Sequence, residues 1–95
     1  MPTIVSGGYE WDEAKATSNA DKHGVSFDEA ALALDTDPNE VAVEDPDEPG
    51  RVHSLVWSMR DRVLLVVSTE AGARTRIISA RKASPDEQRI YEAGP

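Results

Sequence analysis

The chain has 95 residues, 39% of them hydrophobic and 29% charged, with a formal net charge of −8 and no cysteine. These figures fit one folded domain over residues 1–95 in a reducing cytoplasm, and they exclude disulfides, thiolate metal sites and a disordered chain. The longest apolar run, Val63 to Val67, is far too short to cross a membrane, and MPTIVSGGYE lacks the basic start and apolar core of a secretory signal.

Residues 2 to 6 read as a short opening strand ended by Gly7-Gly8. EWDEAKATSNADKHG then predicts a helix with Asp12 as N-cap and Gly24 just past its end. On it Trp11, Ala14, Lys15 and Ser18 share a face. SFDEAALALDTDP predicts a second helix. Ser26 and Glu29 form a capping box, Phe27, Ala30, Ala31 and Leu34 make the apolar stripe, and Pro38 ends it.

The period then changes to two. EVAVE is a strand and DPDEPG a loop; RVHSLVWS and RVLLVVST are strands joined by the short link MRD. EAGA turns into a further strand, RTRIISA, and SPDEQRIYEAG starts a last helix with Ser84 at N-cap, Pro85 at N1 and Glu87 at N3. The expected fold is α+β: two N-terminal helices, an antiparallel meander of about four strands with a short N-terminal strand added, and a C-terminal helix. Val63 to Val67 marks the central strand, buried on both faces or nearly so.

Charge is divided along the chain. Residues 1–50 carry a balance of −11 and residues 51–95 a balance of +3. The meander, residues 51–82, holds Arg51, Arg60, Arg62, Arg74, Arg76, Arg81 and Lys82 against only Asp61 and Glu70. Arginine forks suit phosphate oxygens, so a cationic sheet face is a footprint for nucleic acid even on an acidic chain. The same arginines equally suit ion pairs with the acidic first half, tying two layers together. Alternation places Arg74, Arg76 and Ile78 on one face, and Arg51, His53, Leu55 and Trp57 on one face of the earlier strand.

His23, at the end of the first helix beside Lys22, complements the helix dipole or serves chemistry. His53 reads as a packed or hydrogen-bonded residue, and Tyr91 as facing the core. The two histidines give no ligand spacing, and DPDEPG lacks the ligand order of a calcium loop, so no metal or cofactor is expected.

Two motifs in order, EWDEAKATSNADKHGVSFDEA and RIISARKAS, followed by EQRIYE, resemble the BrnT family, toxins of type II toxin–antitoxin pairs. The resemblance runs from about Tyr9 to Gly94. It implies a RelE-like ribonuclease fold, inhibition of translation by RNA cleavage, and a BrnA antitoxin with a ribbon-helix-helix domain. It also implies a 2:2 assembly that meets operator DNA only through the antitoxin. The matching positions are Lys22, His23, Arg51, Glu70, Arg76, Arg81, Glu87 and Tyr91.

RNA cleavage without metal needs a base, an acid and positive charge on the phosphorane. His23 or Lys22 suits proton transfer, with Glu70 as second choice; Arg51, Arg76 and Arg81 suit charge stabilisation; Arg74, Lys82 and Arg62 suit flanking phosphates. The chain departs from the family pattern at Ala71 for an arginine, Ser68 for an aromatic or histidine, Trp57 in a stretch marked by a glycine and small residues, and in the last helix, usually arginine-rich and here SPDEQR. These leave a weakened toxin, kept for binding its antitoxin and for repression, as the alternative. The acidic first half, including Asp35, Asp37, Glu40, Glu44, Asp45 and Asp47, offers a basic antitoxin segment a place to dock.

Overall fold

A computed structural model describes residues 2–95. Two short strands come first, β1 (Thr3–Ser6) and β2 (Tyr9–Asp12), followed by helices α1 (Glu13–His23) and α2 (Phe27–Thr36). The meander is β3 (Val41–Glu44), β4 (Arg51–Ser58), β5 (Arg62–Ala71) and β6 (Arg74–Lys82), and α3 (Pro85–Ala93) closes the chain. The class is α+β, as expected.

The sheet has six strands in the order β1-β2-β6-β5-β4-β3. The four-strand antiparallel meander is present, but the opening segment contributes a hairpin rather than one strand. Tyr9–Asp12, expected in part as helix, is its second arm, and Trp11 is therefore a sheet residue and not an α1 anchor. β2 pairs with β6 in parallel, Tyr9 opposite Thr75 and Glu10 opposite Arg76, which makes the sheet mixed.

The helix caps follow local chemistry. Asp12 accepts from the Lys15 N–H, and Gly24, at φ +68°, ends α1 in the left-handed region that favours glycine. Ser26 caps α2 by accepting from the Glu29 N–H. The expected capping box is only half made, because the Glu29 carboxylate turns instead to Arg62 and Ser58. At α3 both halves are present. The MRD link is a tight hairpin with Asp61 at φ +57°.

α1 and α2 cover one face of the sheet. Phe27, Ala30, Ala31, Ala33 and Val25 pack there on Trp11, Val56, Leu64, Val66, Ile77 and Ala80, with Trp11 and Phe27 edge to face. Burying these side chains stabilises the fold by about 1.5–3 kcal/mol for each of the larger ones. Only alternate residues of Val63–Val67 reach this core. Leu65 and Val67 look to the other face and are half-buried, and Val63 on that face is buried, so β5 is nearly buried on both sides over this run. There α3 lies over the lower part of the sheet, where Tyr91, Val41 and Leu65 pack against Leu55, Val63 and Ala83. The rest of that face is open.

Candidate nucleic-acid interface

Register decides which side chains share the open face. Leu65 lies opposite Arg81, Val67 opposite Ser79, and then Ser68 opposite Ile77 and Thr69 opposite Arg76. The shift between Val67 and Ser68 is a β-bulge that gives β6 one extra residue. Strict alternation from Arg74 would send Arg81 to the helix side and keep Ile78 with Arg76. The bulge resets the phase, so Arg74, Arg76, Ser79 and Arg81 face the same way.

On β4 the expected set holds, since Arg51, His53, Leu55 and Trp57 oppose Thr69, Val67, Leu65 and Val63. The open face is thus ruled in rows. Arg51, Thr69, Arg76 and Glu10 form one, with Arg51 and Arg76 about 10 Å apart across two strand spacings. Arg81 sits two rows further along, about 13 Å away.

Carboxylates hold two of these arginines. Arg76 Nη1 donates to Glu10 at 2.6 Å. Arg81 makes a two-pronged contact with Glu87 of α3, at 2.8 and 3.0 Å, and also donates to the Lys82 carbonyl. The Arg81 hydrogen bonds outweigh burial and hold Glu87 below the usual carboxylate value, while Glu87 raises Arg81. Among the described residues Arg51 and Arg74 have no ion pair. His53 bonds Asp45 at 2.9 Å, which agrees with its reading as a hydrogen-bonded residue. Asp45 is lowered chiefly by the Asp47 N–H and then by His53.

The other candidates gather elsewhere. Arg62 lies on the helix side, opposite Ser58, and its guanidinium bonds both oxygens of Glu29 at 2.6 and 2.9 Å and the Gly24 carbonyl at 2.9 Å. That last bond brings the end of α1, with Lys22 and His23, to the sheet end where β5 begins. Lys82 is there too, opposite Leu64. Asn19 of α1 bonds both backbone groups of Ala80, so the helix runs beside this half of β6. Arg81 and Lys82, consecutive and on opposite faces, link the two cationic groups.

Glu70 stands apart from both. It pairs with Thr75 at the far end of β5, about 26 Å from Arg62, on the helix side near Glu40 and Tyr9. Of the departures, Ser68 is buried on the helix side and does not alter the open face. Ala71 opposes Arg74 beside the last hairpin, and Trp57 is 45% exposed near Tyr91.

Three partners escaped the sequence reading. Glu10 and Glu87 carry the paired arginines, and Asp37 accepts from the Trp57 N–H and the Tyr91 hydroxyl, both at 2.8 Å. Asp37 thus tethers α2, β4 and α3 together. Glu87 carried a signal, as the N3 residue of a capping box and a matching family position; Glu10 and Asp37 belong to the acidic first half expected to pair with cations, but nothing local assigned their partners. No cluster of three or more His, Asp or Glu suited to a metal ion occurs among the described residues.

Fold and face together define a small α+β protein that presents an arginine-bearing sheet surface on an acidic body. The family match makes this specific: residues 11–87 match "Ribonuclease toxin, BrnT, of type II toxin-antitoxin system", and the chain belongs to that family. It is also similar to the crystal structure of the Brucella abortus ribonuclease toxin, BrnT. That match has 25% identity and a TM-score of 0.65, and covers 78% of this chain and 92% of that one. No curated protein matches. Membership in a type II system implies an antitoxin partner.

Proposed function

We propose that this chain cleaves RNA without a metal ion, inhibits translation in the cytoplasm, and is neutralised by a BrnA-like ribbon-helix-helix antitoxin in a 2:2 complex that contacts operator DNA only through the antitoxin. The observation that carries the RNA reading is the placement of Arg51, Arg76 and Arg81 on one open face of a chain whose net charge is −8. An RNA strand crossing that face meets them in turn. Arg81 stabilises the phosphorane, with Arg51 and Arg76 on neighbouring phosphates. His23 or Lys22, at the same sheet end as Arg81, transfers the proton with Lys82 adding positive charge there, while Arg74, at the other end of the open face, meets a flanking phosphate and Arg62 stays with Glu29. Glu70 is too distant to act on the same phosphate as Arg81.

One observation favours the second reading, a weakened toxin retained for binding and repression. Arg76 and Arg81 already hold carboxylates, so RNA must displace Glu10 and Glu87 to use them.

Inducing the chain alone, beside Arg81→Ala, His23→Ala and Glu70→Gln at equal folded levels, tests both. Growth arrest by the parent and by Glu70→Gln, lost in the other two and relieved by the antitoxin, supports the ribonuclease. RNA cleavage by the purified parent that persists in chelator supports the metal-free route. Removing the key charge costs roughly a hundredfold in rate. No arrest, with the antitoxin still bound, supports the second reading.

A further inference from the structure

β3 is an outer strand of the sheet, and its free edge is open. The Asp45 N–H donates to the Arg51 carbonyl at 2.8 Å, which fixes the phase of the ladder. Val43 with His53, and Val41 with Leu55, are then the hydrogen-bonded pairs, because such pairs alternate along an antiparallel ladder. The N–H and C=O groups of Ala42 and Glu44 therefore point out of the sheet. Folded proteins blunt such edges by shortness, charge, proline or a bulge. Val41–Glu44 is short and ends in Glu44, but it has no lysine, proline or bulge, and Val43 is 61% exposed.

The edge is also apolar on one side and acidic around it. Val41 and Val43 look onto the open face, where they line a groove with Leu55, Leu65 and Ile90 of α3. Nine acidic residues and no lysine or arginine lie between Gly24 and Gly50. Some are committed: Glu29 to Arg62, Asp37 to Trp57 and Tyr91, Asp45 to His53. Glu44, Asp47 and Glu48, around the end of the strand, remain without ion pairs among the described residues.

From this we infer that the free edge of β3 receives the antitoxin as a seventh strand: an extended segment whose backbone pairs with Ala42 and Glu44, whose alternate apolar side chains enter the Val41–Val43 groove, and whose lysines or arginines meet Glu44, Asp47 and Glu48. This rests on the toxin reading above and gives that partner a surface. Charge selects the occupant. A second copy of this chain would bring the same acidic loop against itself, and RNA would meet carboxylates. A basic polypeptide meets neither obstacle, and strand addition to an exposed edge is an established mode of peptide capture. The added strand lies one strand away from Arg51 and His53, so it also walls one side of the arginine face.

Hydrogen exchange on the chain alone and in complex with its cognate antitoxin tests this. The amides of Ala42 and Glu44 exchange rapidly in the free chain and are protected at least tenfold in the complex. Ala42→Pro removes an outward N–H that the fold does not use, and weakens antitoxin binding at least tenfold with thermal unfolding unchanged. Val43→Lys, a surface change, does the same should proline perturb the strand. Val5→Lys, on the opposite edge strand β1, binds normally. A stable complex in which Ala42 and Glu44 stay unprotected, or in which both β3 variants bind like the parent, overturns the inference and leaves the toxin reading standing. Failure of the chain to bind any antitoxin overturns both.

Discussion

Asn19 and Ala80, sixty-one residues apart, are joined as though they belonged to neighbouring strands. The Asn19 carboxamide donates to the Ala80 carbonyl at 2.8 Å and accepts from the Ala80 N–H at 3.2 Å, and it also donates to the Val25 carbonyl at 3.0 Å. One buried side chain thus completes the β6 edge that β2 is too short to cover. Asn19→Ala leaves three buried backbone groups without partners and destabilises the chain by roughly 3 kcal/mol. Asn19→Asp gives no rescue, since it keeps an acceptor for the Ala80 N–H but turns a carboxylate toward two carbonyls. Urea unfolding of both variants checks this, and a loss under about 1 kcal/mol would contradict it.

Arg62 holds two helix-side elements at once. Its side chain is 21% exposed and that of Glu29 only 7%. Arg62→Ala leaves the Glu29 carboxylate with Ser58 alone and strips the Gly24 carbonyl, at a cost of about 2–3 kcal/mol. In a double-mutant cycle with Glu29→Ala, the losses are expected to be non-additive by about 1–2 kcal/mol. Additive losses would show that the pair adds nothing.

The same pair gives a pH signature. The Arg62 hydrogen bond outweighs burial and holds Glu29 below the usual 4.5. A carboxyl lowered on folding stabilises fully above its unfolded value and loses that contribution as pH falls through its folded value. The stability difference between the parent and Glu29→Gln is therefore constant above about pH 5 and shrinks below it. Urea midpoints for both proteins between pH 7 and 3 measure this. A difference that grows on acidification has the wrong sign for the pair.

Both tyrosines resist ionisation. Burial, then the hydrogen bond to Asp37 and its charge, raises Tyr91 to about 12, and burial with the charges of Asp35 and Glu40 raises Tyr9. At pH 10, where a free phenol is half ionised, the native chain shows less tyrosinate absorbance than the unfolded chain, and unfolding at that pH raises it. A group raised on folding stabilises below its unfolded value, so this contribution disappears as pH rises through about 12 for Tyr91. Asp37→Asn brings the Tyr91 transition to lower pH. An unchanged titration would mean the hydroxyl is not held there.

What the sequence disclosed was local. Asp12, Gly24, Ser26 and the Ser84–Glu87 box mark helix ends because each cap is made within a few residues. The strands of the meander are legible because short links join them. β2 is not, since its place is set by Arg76, sixty-six residues from Glu10. Glu29 was legible as a cap and illegible as an Arg62 partner, because the stronger ligand arrives from a distant strand. The arginine face was half legible. Composition showed the charge, but alternation alone divides Arg76 from Arg81, and one bulged residue unites them. Lys22 and His23 were singled out as residues, while their place beside Lys82 and Arg62 depended on tertiary packing.

The parallel pairing of β2 with β6 has a consequence for assembly in time. The rows of the open face draw on β2, β4, β5 and β6, from Glu10 to Arg81. Contacts so distant in the chain close late, since the loop entropy must be met before the contacts repay it. A chain still growing on the ribosome, released only as far as β5, has Arg51 in place but neither Arg76 nor Arg81 beside it. The cationic surface comes into being only once β6 has emerged and pairs with the N-terminal hairpin.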